Sequence, residues 1–112
     1  MRPNRRPTGI DIFIGPDTIT PVSVVYKLSK SQLKATVSDN VPGGAAVISM
    51  TPLDANGIPL VCGSGTCVVV MTYDPTANVY NVLQNITNPI PNSVRFTSSY
   101  GAVLVAPISR VQ

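Results

Sequence analysis

Residues 67–84 read CVVVMTYDPTANVYNVLQ, and this stretch decides the fold class. Cys67 to Tyr73 is a nearly continuous apolar run rich in β-branched residues, which predicts a central strand covered on both faces. Asp74-Pro75-Thr76-Ala77-Asn78 is built of residues that break strands and form turns. Beyond it, Val79 to Gln84 resumes an extended pattern, so the whole stretch reads as strand, turn and strand.

The same punctuation continues outward in both directions. Toward the C-terminus, Asn88-Pro89-Ile90-Pro91-Asn92 is a connection, followed by strands over Ser93 to Ser98 and Gly101 to Ala106. Toward the N-terminus, Asp54-Ala55-Asn56-Gly57 predicts a tight reversal between strands at Ala45 to Thr51 and Ile58 to Val61, with Gly57 supplying the positive φ. Val41-Pro42-Gly43-Gly44 is a further turn. Val22 to Leu28 and Gln32 to Ser38 are strands, the second half-buried, with Leu33, Ala35 and Val37 on one face and Lys34 and Thr36 on the other. Ile10, Ile12 and Ile14 alternate with Asp11 and Phe13 in a short first strand ended by Gly15-Pro16-Asp17. The expectation is an all-β, single antiparallel β-sandwich of about eight or nine short strands over residues 10–112, with no helix.

Composition agrees with this reading. The 112 residues include 11 Pro and 8 Gly, no Glu, and only 12% charged residues. Soluble domains average about 25% charged, so Ser, Thr, Asn and exposed turns must cover the surface, which suits contact with neighbouring protein. A chain of this length makes one domain and buries roughly two-thirds of its unfolded surface, too little for a deep pocket.

Charge is unevenly placed. Arg2, Arg5 and Arg6 lie within the first six residues, and the formal charge of +3 vanishes once they are set aside. Residues 1–9 therefore read as an extended arm in which Pro3 and Pro7 fix φ and remove donors, with a disordered tail as the alternative. The domain after it lacks the clustered cations and aromatic platforms of a nucleic-acid-binding surface. No stretch is apolar for the 18 to 20 residues a membrane span needs, and MRPNRRPTG lacks the apolar centre of a secretory signal. The expectation is cytoplasmic synthesis, without a membrane or nucleic-acid partner.

Chemistry is sparse. There is no His, which removes Ser-His-Asp triads, Cys-His pairs and HExxH zinc sites. Acid or base work would fall to five Asp, four Tyr and three Lys, and the Asp residues read as turn or strand-edge residues, with Asp11 alone inside a strand. Asp54-Ala55-Asn56-Gly57 lacks the later ligands and closing Glu of a calcium loop. Tyr26, Tyr73, Tyr80 and Tyr100 read as strand-packing residues, and Asn85-Ile86-Thr87 matches a glycosylation triplet too common to inform. We expect no catalytic residue, no metal and no cofactor.

Cys62-Gly63-Ser64-Gly65-Thr66-Cys67 is the most informative short motif. A Cys62–Cys67 disulfide closing a hairpin tip fits it, with free thiols as the alternative, and so short a loop would add about 2 kcal/mol on the chain-entropy model. Two Cys without His make a poor zinc site, and the spacing is not that of a CxxC redox pair. A disulfide calls for an oxidising final environment, whereas the N-terminus shows no export signal. A protein assembled inside a cell and released from it meets both conditions.

The run VVVMTYDPTANVYNVLQNITN, residues 68–88, followed by SVRFTSSYGA, residues 93–102, resembles the later strands of bacterial and phage immunoglobulin-like modules. The short Arg/Pro-rich arm ahead of a neutral sandwich resembles the small capsid-decoration proteins of tailed phages, which clamp neighbouring capsid subunits. This resemblance implies an Ig-like, non-enzymatic virion protein of the capsid decoration or cement type, located on the virion surface. Its partner would be the major capsid protein or another virion protein, with homo-oligomeric or lattice contacts. Arg2, Pro3, Arg5, Arg6 and Pro7 would lie across a neighbouring subunit, and exposed strand edges would extend its sheets. The alternative is a secreted Ig-like adhesion or surface-filament module.

Overall fold

The computed structural model describes residues 16–62, 65–86 and 90–112, with only the backbone described at Cys62 and Thr66. The arm residues Arg2, Pro3, Arg5, Arg6 and Pro7 and the strand expected at Ile10 to Ile14 lie outside the described residues.

Eleven short strands are present among the described residues: β1 (Ile19–Lys27), β2 (Gln32–Asp39), β3 (Ile48–Leu53), β4 (Val61–Cys62), β5 (Gly65–Thr66), β6 (Val69–Val70), β7 (Thr72–Asp74), β8 (Val79–Asn85), β9 (Ser93–Ser98), β10 (Val103–Pro107) and β11 (Ser109–Val111). They form a five-stranded sheet in the order β11-β1-β2-β8-β7, a four-stranded sheet in the order β10-β9-β3-β6, and the small β4–β5 hairpin. The all-β sandwich is as expected. The strand count exceeds the expected eight or nine, and one pairing, β1 with β11, is parallel rather than antiparallel.

The core follows from alternation. Tyr26, Leu33, Ala35 and Val37 of the larger sheet meet Ile48, Met50, Val94 and Phe96 of the smaller one, all essentially without solvent exposure. Lys34 is exposed and Thr36 half-buried on the opposite face of β2, because successive side chains of a strand point to opposite faces. Pro21, which has no N–H to give, lies beside a bulge in β1 before the stretch, Val25 to Lys27, that pairs with β11.

The central-strand reading of Cys67 to Tyr73 is corrected. β6 is an edge strand of the smaller sheet and β7 an edge strand of the larger one, so the run passes from one sheet to the other at Met71. Cys67 and Met71 are buried, whereas Val68 and Val70 are 55% and 62% exposed. A valine run favours extended backbone on either face, so it specified a strand without specifying coverage. On the other side of the sandwich the chain makes another single-residue crossing, from β10 to β11 through Ile108.

Turns form where side chains can hold backbone. Asp54 Oδ1 accepts the N–H groups of Asn56 at 2.8 Å and Ile58 at 2.9 Å, with Gly57 at φ 77°. Asp74 Oδ1 accepts Thr76 N–H at 3.0 Å, and Asn78 adopts φ 57°. Single 3-10 turns occupy Leu28–Lys30 and Pro42–Gly44. The strand expected from Ala45 begins only at Ile48: Tyr80 Oη donates to the Ala46 carbonyl at 2.9 Å, and Val47 bonds to Ser99 at both ends, its N–H donating to Ser99 Oγ and its carbonyl accepting Ser99 N–H, each at 2.9 Å.

Candidate functional site

The outer face of the smaller sheet has a composition that follows from register. Val70 pairs with Ser49, Ser49 with Thr97, and Thr97 with Val103, making one row across the sheet. Thr51, Arg95 and Val105 make the next, with Thr51 buried rather than open to solvent. Arg95 is the one charge in these two rows. Val70, Val103 and Val105 are all more than half exposed. Solvated strand faces are usually polar, so a face carrying three exposed valines and one charge is unusually apolar. The available edges are short: β6 has two residues, β7 and β11 three each, and β10 five.

The Cys motif forms the β4–β5 hairpin. Val61 pairs with Thr66 and Cys62 with Gly65, and Cys67 N–H donates to the Leu60 carbonyl at 2.9 Å. Position 62 is thus diagonal to position 67 in the ladder. Cys67 is 2% exposed and packs in the core. The Cys62 side chain lies outside the described residues.

The expected packing roles of the tyrosines are visible at three positions. Tyr26 is buried and its hydroxyl donates to the Ile86 carbonyl. Tyr80 is buried against Tyr73, ring centroids 5.0 Å apart, and Tyr73 Oη donates to Asn78 Oδ1 at 2.7 Å. Burial, followed by the charge of Asp39, pushes the Tyr80 phenol up.

The Asp residues hold what the sequence reading missed. Asp39 does end a strand and Asp17 does sit in a turn region, yet the two are only 8% and 5% exposed, and each acts on the other. Asp17 Oδ1 accepts Ala102 N–H at 2.9 Å, and Asp39 Oδ1 accepts Val41 N–H at 2.8 Å. Burial and Asp17 together push the Asp39 carboxyl up to about 6. Burial also acts to raise Asp17, but bonds from Asp39, Ser98, the Ala102 amide and its own amide outweigh it and hold that carboxyl below its ordinary value. The signal was in the antiparallel β1–β2 register, which sets Ile19 opposite Asp39 and so brings Asp17 to the same end of the sandwich.

Among the described residues no group of three or more His, Cys, Asp or Glu side chains could hold a metal ion. No helix among them is long and apolar enough to cross a membrane. No protein-family model matches the chain, and no curated protein matches it significantly.

Proposed function

We propose that the chain is a non-enzymatic structural protein of a virion, a capsid decoration or cement protein that stabilises the shell by lying on its neighbours. The observation that carries this reading is the valine, serine and threonine face of the smaller sheet with Arg95 as its one charge. Such a face loses little by desolvation when it is covered, and Arg2, Arg5 and Arg6 would supply charge pairing with a neighbour. The shortness of the edges favours docking through this face over sheet extension.

The Cys62–Cys67 disulfide belongs to the same proposal. Cys67 is not a free thiol, and the ladder sets the two positions diagonally across one hairpin. Intact mass with and without reductant checks it, a closed bond being expected in protein recovered from particles.

The functional test begins with particles purified from the native source. The chain is expected in them at a fixed ratio to the shell protein. Val103→Asp and deletion of residues 1–9 should each weaken rebinding to stripped particles while leaving the far-UV circular dichroism unchanged. Recovery of the chain from the cell surface with a processed N-terminus, and its absence from particles, would replace this reading with the adhesion module.

A further inference from the structure

We infer that Asp17 and Asp39 share one proton across a carboxyl–carboxylate contact, and that this contact is a latch holding residues 16–18 against the turn at Ser98 to Ala102 until the proton is lost. The inference stands apart from the virion reading and rests on where the hydrogen bonds go.

Each carboxyl spends Oδ1 on a backbone amide, Asp17 on Ala102 and Asp39 on Val41. Each Oδ2 is buried and meets no donor. Ionised carboxylates only accept, so two charged groups would leave both oxygens unpartnered and set like charges together away from water. One proton removes both problems, because Oδ2–H of one group then donates to Oδ2 of the other. The proton resides on Asp39, because burial and Asp17 raise that carboxyl, whereas Asp17 is held below its ordinary value.

No cation competes for the role among the described residues. Lys27 and Lys34 stand toward the other end of the β1–β2 hairpin and Lys30 in its turn, Arg95 lies on the outer face of the smaller sheet, and Arg110 sits on β11 opposite Tyr26. The titratable groups that face the pair are phenols. Tyr80 on β8 acts on it directly, Tyr73 on β7 stands behind Tyr80, and Tyr100 in the β9–β10 turn bonds through its backbone to Ser98 Oγ at 3.0 Å.

The contact joins distant parts of the chain. Asp17 precedes β1, Asp39 ends β2, and Ser98 to Ala102 form the turn between β9 and β10. A cleft of about 280 Å³ lined by residues 16–19 and 101–104 lies beside the contact. Thr18 and Asn40 add a reciprocal pair, Thr18 N–H to Asn40 Oδ1 at 2.8 Å and Asn40 N–H to the Thr18 carbonyl at 3.3 Å. Losing the proton sets two charges against each other where Asp17 meets the turn between β9 and β10. Acid closes the latch, and neutral or alkaline solution loosens it.

The test uses the full chain. Carboxyl carbon NMR should show Asp39 titrating near 6, in step with amide shifts at Val41 and Ala102. Exchange of the Ala102 amide, corrected for its intrinsic pH dependence, should rise by up to tenfold for each pH unit above that value. Asp39→Asn can donate Nδ2–H to Asp17 permanently, so its Tm should stay flat from pH 5 to 8 and exceed wild type at pH 8. Titration of both carboxyls below pH 4.5 overturns the shared proton, even where the variant folds poorly. Stabilisation of wild type at pH 8 by millimolar calcium and not by sodium overturns it in favour of a cation between the two oxygens.

Discussion

Gly43 and Gly44 offer a matched pair of substitutions in one turn. Their φ angles are nearly the same, 70° and 73°, so alanine meets the same backbone strain at both, about 1–2 kcal/mol, partly offset by a stiffer unfolded chain. The surroundings differ. A Cβ at Gly43 meets nothing within 4 Å, whereas at Gly44 it would lie 2.4–2.7 Å from Cδ2, Cε2 and Cγ of Tyr73. That ring cannot simply swing away, because its hydroxyl is bonded to Asn78 and its face packs on Tyr80. Overpacking of this kind costs a further 1–3 kcal/mol or so. Gly43→Ala should therefore lower stability by about 1 kcal/mol and Gly44→Ala by about 2–4 kcal/mol, a gap of roughly 4 °C in Tm per kcal/mol for a domain of this size. Urea unfolding followed by far-UV circular dichroism reads both values. A double-mutant cycle with Tyr73→Ala should recover most of the difference. Equal losses at the two glycines, or a Gly44→Ala loss unaffected by Tyr73→Ala, would refute the steric argument.

Other outcomes follow from single contacts. Phe96→Ala empties a fully buried position and should cost about 3–5 kcal/mol in urea unfolding, a large part of the total for such a domain. Tyr80→Phe keeps the ring and loses the bond to the Ala46 carbonyl, for about 1 kcal/mol by the same measurement. Asp54→Ala should speed exchange of the Asn56 and Ile58 amides, while Asp54→Asn, which keeps an acceptor oxygen, should change it far less. Raised to about 6, the Asp39 carboxyl contributes stability that is fully present below its ordinary value near 3.8 and is lost as pH rises through 6, up to about 3 kcal/mol in all. Asp17, held low, contributes with the opposite sign as pH falls below that ordinary value, so Tm should peak in mild acid.

Much of the sandwich was legible where alternation and turn chemistry agreed. β9 occupies Ser93–Ser98 as read, and β2 buries Leu33, Ala35 and Val37 as read. Asp54 and Asp74 announce turns because a short carboxylate reaches backbone N–H groups two residues on, a rule local enough to read from sequence. Coverage was not legible, since Val68 and Val70 have the same strand preference outside as inside. β11 was missed because Ser109, Arg110 and Val111 are all exposed and carry no period, so only the partner strand β1 defines them. The Asp17–Asp39 pair was hidden for a related reason: each residue looks like an ordinary turn aspartate beside its neighbours, and only the register of two strands brings them together.

The two single-residue crossings, at Met71 on one side and Ile108 on the other, have a mechanical meaning. At each flank a continuous backbone forms the rim of both sheets, so the layers are sewn together along opposite seams by covalent bonds. Sliding one layer over the other must strip Thr72 to Asp74 from β8 or Ser109 to Val111 from β1 before the layers can part. Shear therefore loads ladder hydrogen bonds together with the apolar filling, and the protein should yield to tension as one unit rather than sheet by sheet.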